Sequence, residues 1–212
     1  SRLGAGHPAL TGMIAEALAG GPGVMLLHID IDHFASINEN MSAEVGDHAL
    51  ALLAQRLQAH LRGRGLLWRH GSDELIMAVP RTADVPPPEA FAEEVRQQIE
   101  LPLSVLPYTL FMTGKIGVSL CPEHSARLST LLDYAEDAVY QAAREGGNMV
   151  RLYAADGPPS AHSESIISRQ IVDAIPNGEL RLRYQPMVSA RDGRVVGMES
   201  LLRWQSPTLG IL

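Results

Sequence analysis

The sequence feature that most constrains the fold is a short apolar run that ends in acidic residues. The run from Val24 to Asp30 has no polar face, as expected of a strand that is buried on both sides of a sheet. Strand patterns alternate with helical patterns through the first 153 residues, which indicates an α/β layer structure. We therefore expect a central mixed β-sheet flanked by helices, with Asp30 and Asp32 at the end of one buried strand.

The other elements of this first unit follow from hydrophobic periodicity. Apolar residues recur at helical spacing from Ala43 to Leu61, after Ser42 as a plausible N-cap. Two strand patterns then flank the turn Gly71-Ser-Asp73, which predicts a hairpin with acids at its tip. The predicted elements from there on are strands 66–70 and 74–79, a helix around 91–99, a strand 108–120, a helix 128–144 and a strand 149–153.

A second, smaller unit follows a linker. Residues 154–164 are rich in Gly, Pro and Ser and have no apolar period, so we expect three parts: a domain at 1–153, a linker at 154–164 and a fragment at 165–212. The fragment is predicted to hold a short helix at 166–175 and a hairpin of strands 180–188 and 195–204. About fifty residues of this kind bury too little apolar surface to close a core of their own.

Composition excludes several classes of partner. A formal charge of -7 without a cluster of Lys and Arg argues against nucleic-acid binding. The longest apolar runs fall far short of the roughly 20 residues that cross a bilayer, so we expect no membrane contact by this chain. Cys121 is the only cysteine, which excludes an internal disulfide and favours the cytoplasm. The sequence lacks an initiating Met and stops abruptly, so we expect a piece of a longer protein whose membrane anchor, if it has one, lies outside it.

Four carboxylates stand out at the ends of predicted strands. Asp30 and Asp32 follow the buried strand, and Asp73 and Glu74 lie at the hairpin tip. Either pair alone is more often a pair of solvated turn residues. Two acidic clusters at strand ends of one sheet can also converge on Mg²⁺ ions, which bridge carboxylate oxygens and substrate phosphates. The eight histidines show no zinc-site spacing, and we assign His70 a packing role.

Several motifs in the right order resemble the GGDEF family of diguanylate cyclase domains. The family patterns D-I-D-x-F-K-x-I-N and R-x-G-G-D/E-E-F are matched by Asp30-Ile-Asp-His-Phe34 with Asn38, and by Arg69-His-Gly-Ser-Asp-Glu-Leu75. The later segments Ile116-Gly-Val118 and Ala135 to Ala142 also resemble family patterns. The resemblance covers nearly all of residues 24–153 and implies a nucleotide-cyclase-like fold.

By position, the resemblance implies a role for each matching residue. Asp30, the carbonyl of Ile31 and Asp73 would hold Mg²⁺ or Mn²⁺, expected only when nucleotide is bound, and Asp73 and Glu74 would be the catalytic acids, with Glu74 as the base. Asn38 and Asp47 would recognise guanine, since an amide and a carboxylate complement its edge. The implied ligands are GTP or cyclic di-GMP. Because one domain completes no active site, the reaction would need a homodimer.

The sequence departs from the family on the phosphate side of the site. Three family cations are replaced by Ala35, Ala143 and Gly147, and we do not expect Lys115 or Arg144 to compensate for them. In the signature loop, Ser72 replaces a Gly where a substrate backbone would pass. The product-inhibition motif R-x-x-D reads Arg62-Gly-Arg-Gly65, so feedback binding of cyclic di-GMP is not expected there.

The second unit resembles the start of EAL-family phosphodiesterases. The resemblance rests on Tyr184-Gln-Pro186 and on the segment from Gly197 to Trp204. It implies that Glu199 is a metal ligand and that Gln185 and Arg203 contact the substrate phosphate. We expect no phosphodiesterase activity from this chain alone, because one carboxylate does not hold a metal pair. The remainder of the EAL domain is the expected partner.

Three functional hypotheses follow. The leading one is a degenerate GGDEF domain, weak or inactive as a cyclase, that binds GTP with Mg²⁺ and regulates an attached EAL domain. The second is an active diguanylate cyclase that condenses two GTP into cyclic di-GMP. The third is a dimerisation scaffold that binds no nucleotide.

Overall fold

The computed structural model describes residues 8–154, 175, 177–189, 193–206 and 210–211. The chain divides into two compact units, residues 1–162 and 163–212. The helices of the first unit are α1 (Pro8–Leu18), α2 (Phe34–Asn40), α3 (Ala43–Leu61), α4 (Pro88–Glu100) and α5 (Leu128–Arg144). Its strands are β1 (Val24–Ile31), β2 (Leu66–Arg69), β3 (Glu74–Pro80), β4 (Leu103–Val105), β5 (Tyr108–Leu110), β6 (Gly114–Cys121) and β7 (Val150–Leu152).

The main sheet has five strands in the order β2-β3-β1-β6-β7. All neighbours are antiparallel except β6 and β7, which run parallel. The predicted fold class, a mixed sheet flanked by helices, is therefore confirmed. The acid-ended strand β1 lies at the centre of this sheet, with β3 on one side and β6 on the other.

Both faces of the central strand are buried, which explains its lack of a polar face. Met25, Leu27 and Ile29 point into a core that they share with α3 and α4, whereas Val24 and Leu26 pack with α1 and α5 on the other face. Each of these five side chains is at most 2% exposed, and full burial of such a side chain stabilises a fold by about 1.5–3 kcal/mol. A strand buried in this way fixes the sheet register and hence the position of the acids that follow it.

Helix α5 packs directly against the sheet at a glycine of β6. A Cβ atom added to Gly117 would lie 2.0 Å from the carbonyl oxygen of Ala135 and 2.6 Å from the backbone nitrogen of Val139. Such separations are far shorter than a van der Waals contact, so only Gly permits this approach. The close contact places the C-terminal end of α5 near the end of β1.

The structure corrects one predicted strand and adds two helices. The single strand expected at 108–120 is two strands, β5 and β6, which are separated by residues 111–113 and belong to different sheets. Thr113 comes directly before β6 and lies opposite Asp32: its carbonyl oxygen accepts from the Asp32 N–H at 2.9 Å and its hydroxyl donates to the Asp32 carboxylate at 2.8 Å. Strand β5 pairs only with β4, as a separate hairpin. Helices α1 and α2 had not been predicted, and α2 begins directly after His33, whose φ is 55°.

The second unit contains the predicted hairpin. Strand β8 (Leu180–Val188) pairs antiparallel with β9 (Val195–Ser206), which also pairs with the two-residue strand β10 (Gly210–Ile211). The helix predicted at 166–175 and the linker at 154–164 lie almost entirely outside the described residues. Within the described ranges, no helix is both long enough and apolar enough to cross a membrane.

Candidate functional site

The two acidic clusters meet at the end of the central strand. Asp30 is the register partner of Glu74 on β3 and of Lys115 on β6. One residue further on, the N–H of Ile31 donates a hydrogen bond of 3.2 Å to the carbonyl oxygen of Asp73. The structure therefore brings Asp30, Asp73 and Glu74 to the same end of neighbouring strands. It adds a basic residue to them.

That basic residue bridges the two aspartates of β1. The Nζ atom of Lys115 lies 2.7 Å from Oδ1 of Asp30 and 2.9 Å from Oδ1 of Asp32. The three side chains are 15%, 26% and 10% exposed, so the contact is largely shielded from water. Charge-assisted hydrogen bonds at such distances are the strong kind. The carboxylate expected to lead in metal binding is thus already paired with an ammonium group.

Burial and this pairing act in opposite directions on the three pKa values. Burial raises the pKa of Asp30, and the hydrogen bond from Lys115 offsets only part of that increase. Burial also disfavours the charged form of Asp32, but hydrogen bonds from Lys115 and Thr113 outweigh it and lower the pKa. For Lys115, burial is outweighed by its hydrogen bonds to the two aspartates, which raise the pKa of the ammonium group. The site therefore holds a permanent cation at neutral pH.

Asp32 also ties the loop after α5 to the sheet. Its Oδ2 atom accepts from the backbone N–H of Asn148 at 3.1 Å, in addition to the Thr113 hydroxyl. The preceding residue, Gly147, has a φ of +75°, and a Cβ atom there would lie 3.1 Å from Oδ1 of Asp32. A side chain at position 147 would therefore meet both backbone strain and a close contact. Position 147, where the family has an arginine, is thus occupied by a glycine whose neighbour Asn148 contacts Asp32 through its backbone N–H.

Glu74 lies beside a buried histidine. Nε2 of His28 is 3.8 Å from Oε2 of Glu74, which is longer than a hydrogen bond. His28 is 3% exposed, and within the described structure its Nε2 has no hydrogen-bond partner. Its ring meets that of His70 edge to face, with centroids 5.7 Å apart. The His28 imidazole lowers the pKa of Glu74 against the opposing effect of burial, so Glu74 is a weak base.

Arg69 holds the signature loop in place. Its guanidinium donates to the carbonyl oxygens of Gly71 at 2.9 Å and Ser72 at 2.6 Å, and its third contact is Oδ1 of Asp47 at 3.1 Å. The Ser72 hydroxyl donates to Oδ1 of Asp73 at 2.5 Å. The loop is therefore ordered by its own residues, and Asp47 is engaged by an exposed ion pair that a ligand would have to replace.

The two predicted guanine-binding residues lie on adjacent helices. Asn38 is on α2 and Asp47 is in the first turns of α3. A Cβ atom on Gly46 would lie 1.9 Å from Oδ1 of Asn38, so the glycine makes room for the amide. A groove of about 740 Å³ runs along α3 and the edge strand β2, and its lining includes Asp47, Arg69 and Leu75 but not Asn38.

The three positions where the family carries phosphate-binding cations are uncharged. Ala35 and Ala143 are exposed on α2 and α5, and Gly147 is half-buried next to Asp32. Arg144, the neighbouring arginine, is exposed at the end of α5. The rim of the site therefore offers methyl groups and backbone where cations were expected from the resemblance.

A divalent ion does not fit the site as the side chains are arranged. The carboxylates of Asp30 and Asp73 and the carbonyl of Ile31 are oxygen donors of the type that Mg²⁺ prefers. However, Lys115 already pairs with Asp30, and among the described residues no group of three or more acidic, histidine or cysteine side chains is arranged to hold a metal ion. The oxygen atoms are suitable ligands for Mg²⁺, but the negative charge of Asp30 is already neutralised by Lys115.

The three residues predicted for the EAL fragment share one face of its hairpin. Gln185 is the register partner of Glu199, and Arg203 lies four residues further along the same strand, which returns it to that face. The side chains of Gln185 and Glu199 are exposed, and Arg203 is half-buried, with a hydrogen bond from its guanidinium to the carbonyl oxygen of Leu202.

Comparison with known proteins identifies the family. The fold is that of an α/β domain, and the end of β1 carries carboxylate and carbonyl oxygens of the type found at phosphate-binding metal sites. The family model for the GGDEF diguanylate cyclase domain matches residues 8–149, more than half of the chain, and the EAL domain model matches residues 168–212. The chain belongs to the GGDEF family, with the start of an EAL domain after it, and thus to the cyclic di-GMP signalling proteins.

Individual relatives agree with this assignment. The chain is 29% identical over 192 residues to the cyclic di-GMP phosphodiesterase NbdA of Pseudomonas aeruginosa, covering 91% of this chain and 24% of NbdA. It is 35% identical over 221 residues to Rv1354c of Mycobacterium tuberculosis, covering 98% of this chain and 35% of that protein. The GGDEF domain of PA1120 (YfiN or TpbB) from P. aeruginosa superposes with a TM-score of 0.65 at 27% identity, covering 69% of this chain and 92% of that one. The chain thus spans about a quarter to a third of the curated relatives it matches.

Sequence reasoning missed the central role of Lys115 at this site. A usable sign was present: Lys115 is the only lysine among the 17 basic residues of the chain, and it is the one charged residue of the segment 114–121. A charged residue in such a strand needs a partner. Its pairing with Asp30 and Asp32 became visible only with the sheet register.

Proposed function

We propose that the GGDEF domain of this chain is a nucleotide-binding regulatory domain, weak or inactive as a cyclase, that controls an attached EAL phosphodiesterase domain. The observation that carries the proposal is the contrast between the two sides of the site. The base side keeps Asn38 and Asp47, whereas the phosphate side has Ala35, Ala143 and Gly147 in place of cations.

The size of the expected loss follows from the missing charges. A hydrogen bond to a charged group contributes about 1.5–3 kcal/mol. Three missing contacts therefore weaken phosphate binding by roughly three powers of ten or more, even after allowance for non-additivity. Gly147 is not easily restored, because its φ of +75° is strained for any other residue. Cyclisation requires an accurately held triphosphate, so this loss affects the reaction more than it affects recognition of the base.

The chain keeps the hydrogen-bonding groups that guanine recognition needs. The Asn38 amide offers both a donor and an acceptor, and the Asp47 carboxylate accepts from the two donors on the guanine edge. Asp47 first has to leave Arg69, an exposed ion pair of 3.1 Å, and such pairs contribute only about 0–1 kcal/mol. Releasing Arg69 toward the ligand also supplies one cation. A divalent ion is proposed only as a companion of the bound nucleotide's phosphates.

The proposed output is control of cyclic di-GMP hydrolysis by the EAL part. Support comes from the EAL match at residues 168–212 and from NbdA, which is named a cyclic di-GMP phosphodiesterase. Gln185, Glu199 and Arg203 share a face of the β8–β9 hairpin, and we propose that they join the remainder of the EAL domain in its active site. The proposed partner of the GGDEF domain is therefore that EAL domain.

The test is a calorimetric titration of the full chain with GTP, with and without Mg²⁺. We expect binding in the micromolar to millimolar range for GTP, little for ATP, and at least a fivefold loss in Asn38→Ala and in Asp47→Ala. Asn40→Ala is a matched control, because Asn40 lies on the same helix and its amide donates to the carbonyl oxygen of Ser36 on that helix. No heat with millimolar GTP contradicts nucleotide binding and leaves the dimerisation scaffold as the function.

A second candidate function is that of an active diguanylate cyclase. The meeting of Asp30 and Asp73 at neighbouring strand ends favours it, because these are the residues that the family resemblance assigns to metal binding. It would act as a homodimer, since each domain presents one GTP to the other. Accumulation of cyclic di-GMP from GTP, abolished by Asp73→Ala, supports this candidate and contradicts the leading proposal.

A further inference from the structure

The position of the chain's only lysine calls for an explanation beyond ordinary packing. Lys115 lies on β6 between Gly114 and Ile116, and its side chain is 15% exposed. Lysine is rarely buried unless it is paired, and most lysines lie on surfaces, where this chain uses arginine instead. Lys115 is directed at two carboxylates, and one of them, Asp30, lies opposite it in the sheet register.

The local structure is shaped around this cation. A Cβ atom on the neighbouring Gly114 would lie 3.1 Å from the carbonyl oxygen of Asp30, so β6 approaches β1 closely just before the lysine. The hydroxyl of Thr113 and the backbone N–H of Asn148 fix Oδ2 of Asp32 and leave its Oδ1 for Nζ. The ammonium group is thus held by two oriented carboxylate oxygens, which is a built cation site.

We propose that the ammonium group of Lys115 is the resident cation of this site and competes with divalent metal ions for the Asp30 carboxylate. A Mg²⁺ or Mn²⁺ ion at Asp30 would need a carboxylate oxygen at about 2.0–2.2 Å, while Nζ already holds Oδ1 of Asp30 at 2.7 Å. Two cations on one carboxylate repel each other strongly where water is largely excluded. Metal binding therefore requires Lys115 to leave.

This inference concerns the protein alone and does not rest on nucleotide binding. The protein without nucleotide is predicted to bind divalent ions weakly because Lys115 blocks Asp30. Removal of the ammonium group leaves Asp30, Asp32, Asp73 and Glu74 with one compensating cation fewer, and that excess of negative charge attracts a metal ion. Failure of the GTP titration would leave this prediction intact, and its own failure would leave the GTP titration intact.

The experiment measures Mn²⁺ binding to the full chain in the absence of nucleotide, by water-proton relaxation at neutral pH. We expect Lys115→Ser and Lys115→Met to bind Mn²⁺ at least tenfold more tightly than the wild type. Lys115→Arg, which keeps the charge, should remain within about threefold of the wild type. The double variant Lys115→Ser/Asp30→Asn should lose the gain, which locates the ion at Asp30.

A thermal unfolding measurement guards against a folding defect. If Lys115→Ser is destabilised by the carboxylates that have lost their cation, added Mn²⁺ should raise its melting temperature, whereas that of the wild type should not change. Equal Mn²⁺ affinity in the wild type and Lys115→Ser overturns the proposal, whether both bind tightly or neither binds. A gain that persists in the Asp30→Asn double variant overturns it as well, because the ion would then lie elsewhere.

Discussion

Replacing Lys115 by methionine should destabilise the first unit far more than the loss of an ordinary ion pair. Methionine keeps most of the volume of the side chain and removes only its charge. Nζ lies 2.7 Å from Asp30 and 2.9 Å from Asp32, and both aspartates are at least 74% shielded by burial, being 26% and 10% exposed. Breaking a buried pair by removing one partner costs about 3–5 kcal/mol, and an exposed pair about 0–1 kcal/mol. The partial exposure of Asp30 places the expected cost at about 2–4 kcal/mol.

The assay is urea unfolding at neutral pH in a Trp204→Phe background. With only two tryptophans in the chain, Trp68 of β2 then reports on the first unit alone. The control is Arg81→Met, which breaks the more exposed pair between Arg81 and Glu123, with an expected cost below about 1 kcal/mol. A double-mutant cycle with Asp30→Asn should give a coupling energy above about 1 kcal/mol.

Two results would refute this reasoning. A cost for Lys115→Met no larger than that for Arg81→Met would show that the lysine is solvated in solution. Additive effects of Lys115→Met and Asp30→Asn would show that the two side chains do not interact, whatever the cost of each change.

Three further changes test other contacts. Gly46→Ala should weaken GTP binding about as much as Asn38→Ala, because the new methyl group displaces the amide of Asn38. The free energy of unfolding should change by less than about 1 kcal/mol, since Ala is the better helix former. A GTP affinity equal to that of the wild type, measured by calorimetry, would contradict this prediction. Gly117→Ala should destabilise by about 3 kcal/mol or more, because its Cβ atom meets the backbone of Ala135 at 2.0 Å, and a variant that melts at the wild-type temperature would contradict the packing of α5. The pKa of Asp32 is lowered in the folded state, so its contribution to stability is complete above its ordinary pKa of 3.8 and is lost as the pH falls through the lower pKa of the folded state. Asp32→Asn should remove this fall of the urea midpoint at acid pH. A midpoint that falls with pH as in the wild type would contradict the role given to Asp32.

The sequence was sufficient for the parts of the fold that depend on local pattern. The buried strand β1, the helix α3 and the β2–β3 hairpin follow from apolar periodicity and a glycine-containing turn. The break at 111–113 did not follow, since β5 pairs with β4 in a separate sheet and Thr113 contacts Asp32, a residue about eighty positions earlier in the chain. A contact of that sequence separation is invisible to local periodicity.

The candidate site was predictable in its carboxylates but not in its electrostatics. Motif spacing placed Asp30 and Asp73 at strand ends, and the register brings those ends together. Lys115 was considered only as a substitute for the missing phosphate cations, and its position 85 residues after Asp30 does not by itself indicate a contact with that carboxylate. Only the antiparallel pairing of β1 with β6 shows that Lys115 lies opposite Asp30, so that its ammonium group reaches the Asp30 carboxylate. Charge compensation in a sheet is decided by cross-strand neighbours.

The central claim, a guanine-binding domain that lacks phosphate cations, is tested most directly by restoring them. Ala35→Lys/Ala143→Lys returns two cations at exposed helix positions and leaves Gly147, whose positive φ suits only glycine, unchanged. Ala15→Lys/Ala90→Lys, at exposed positions of α1 and α4, adds the same charge elsewhere. The measurement is the affinity for GTP with Mg²⁺, determined by calorimetry, together with a chromatographic assay for cyclic di-GMP. We predict at least tenfold tighter GTP binding by the restored variant than by the wild type or the control, and little or no product from any of them while Lys115 holds Asp30. Unchanged GTP affinity in the restored variant, or abundant product from the wild type that Asp73→Ala abolishes, would contradict the account.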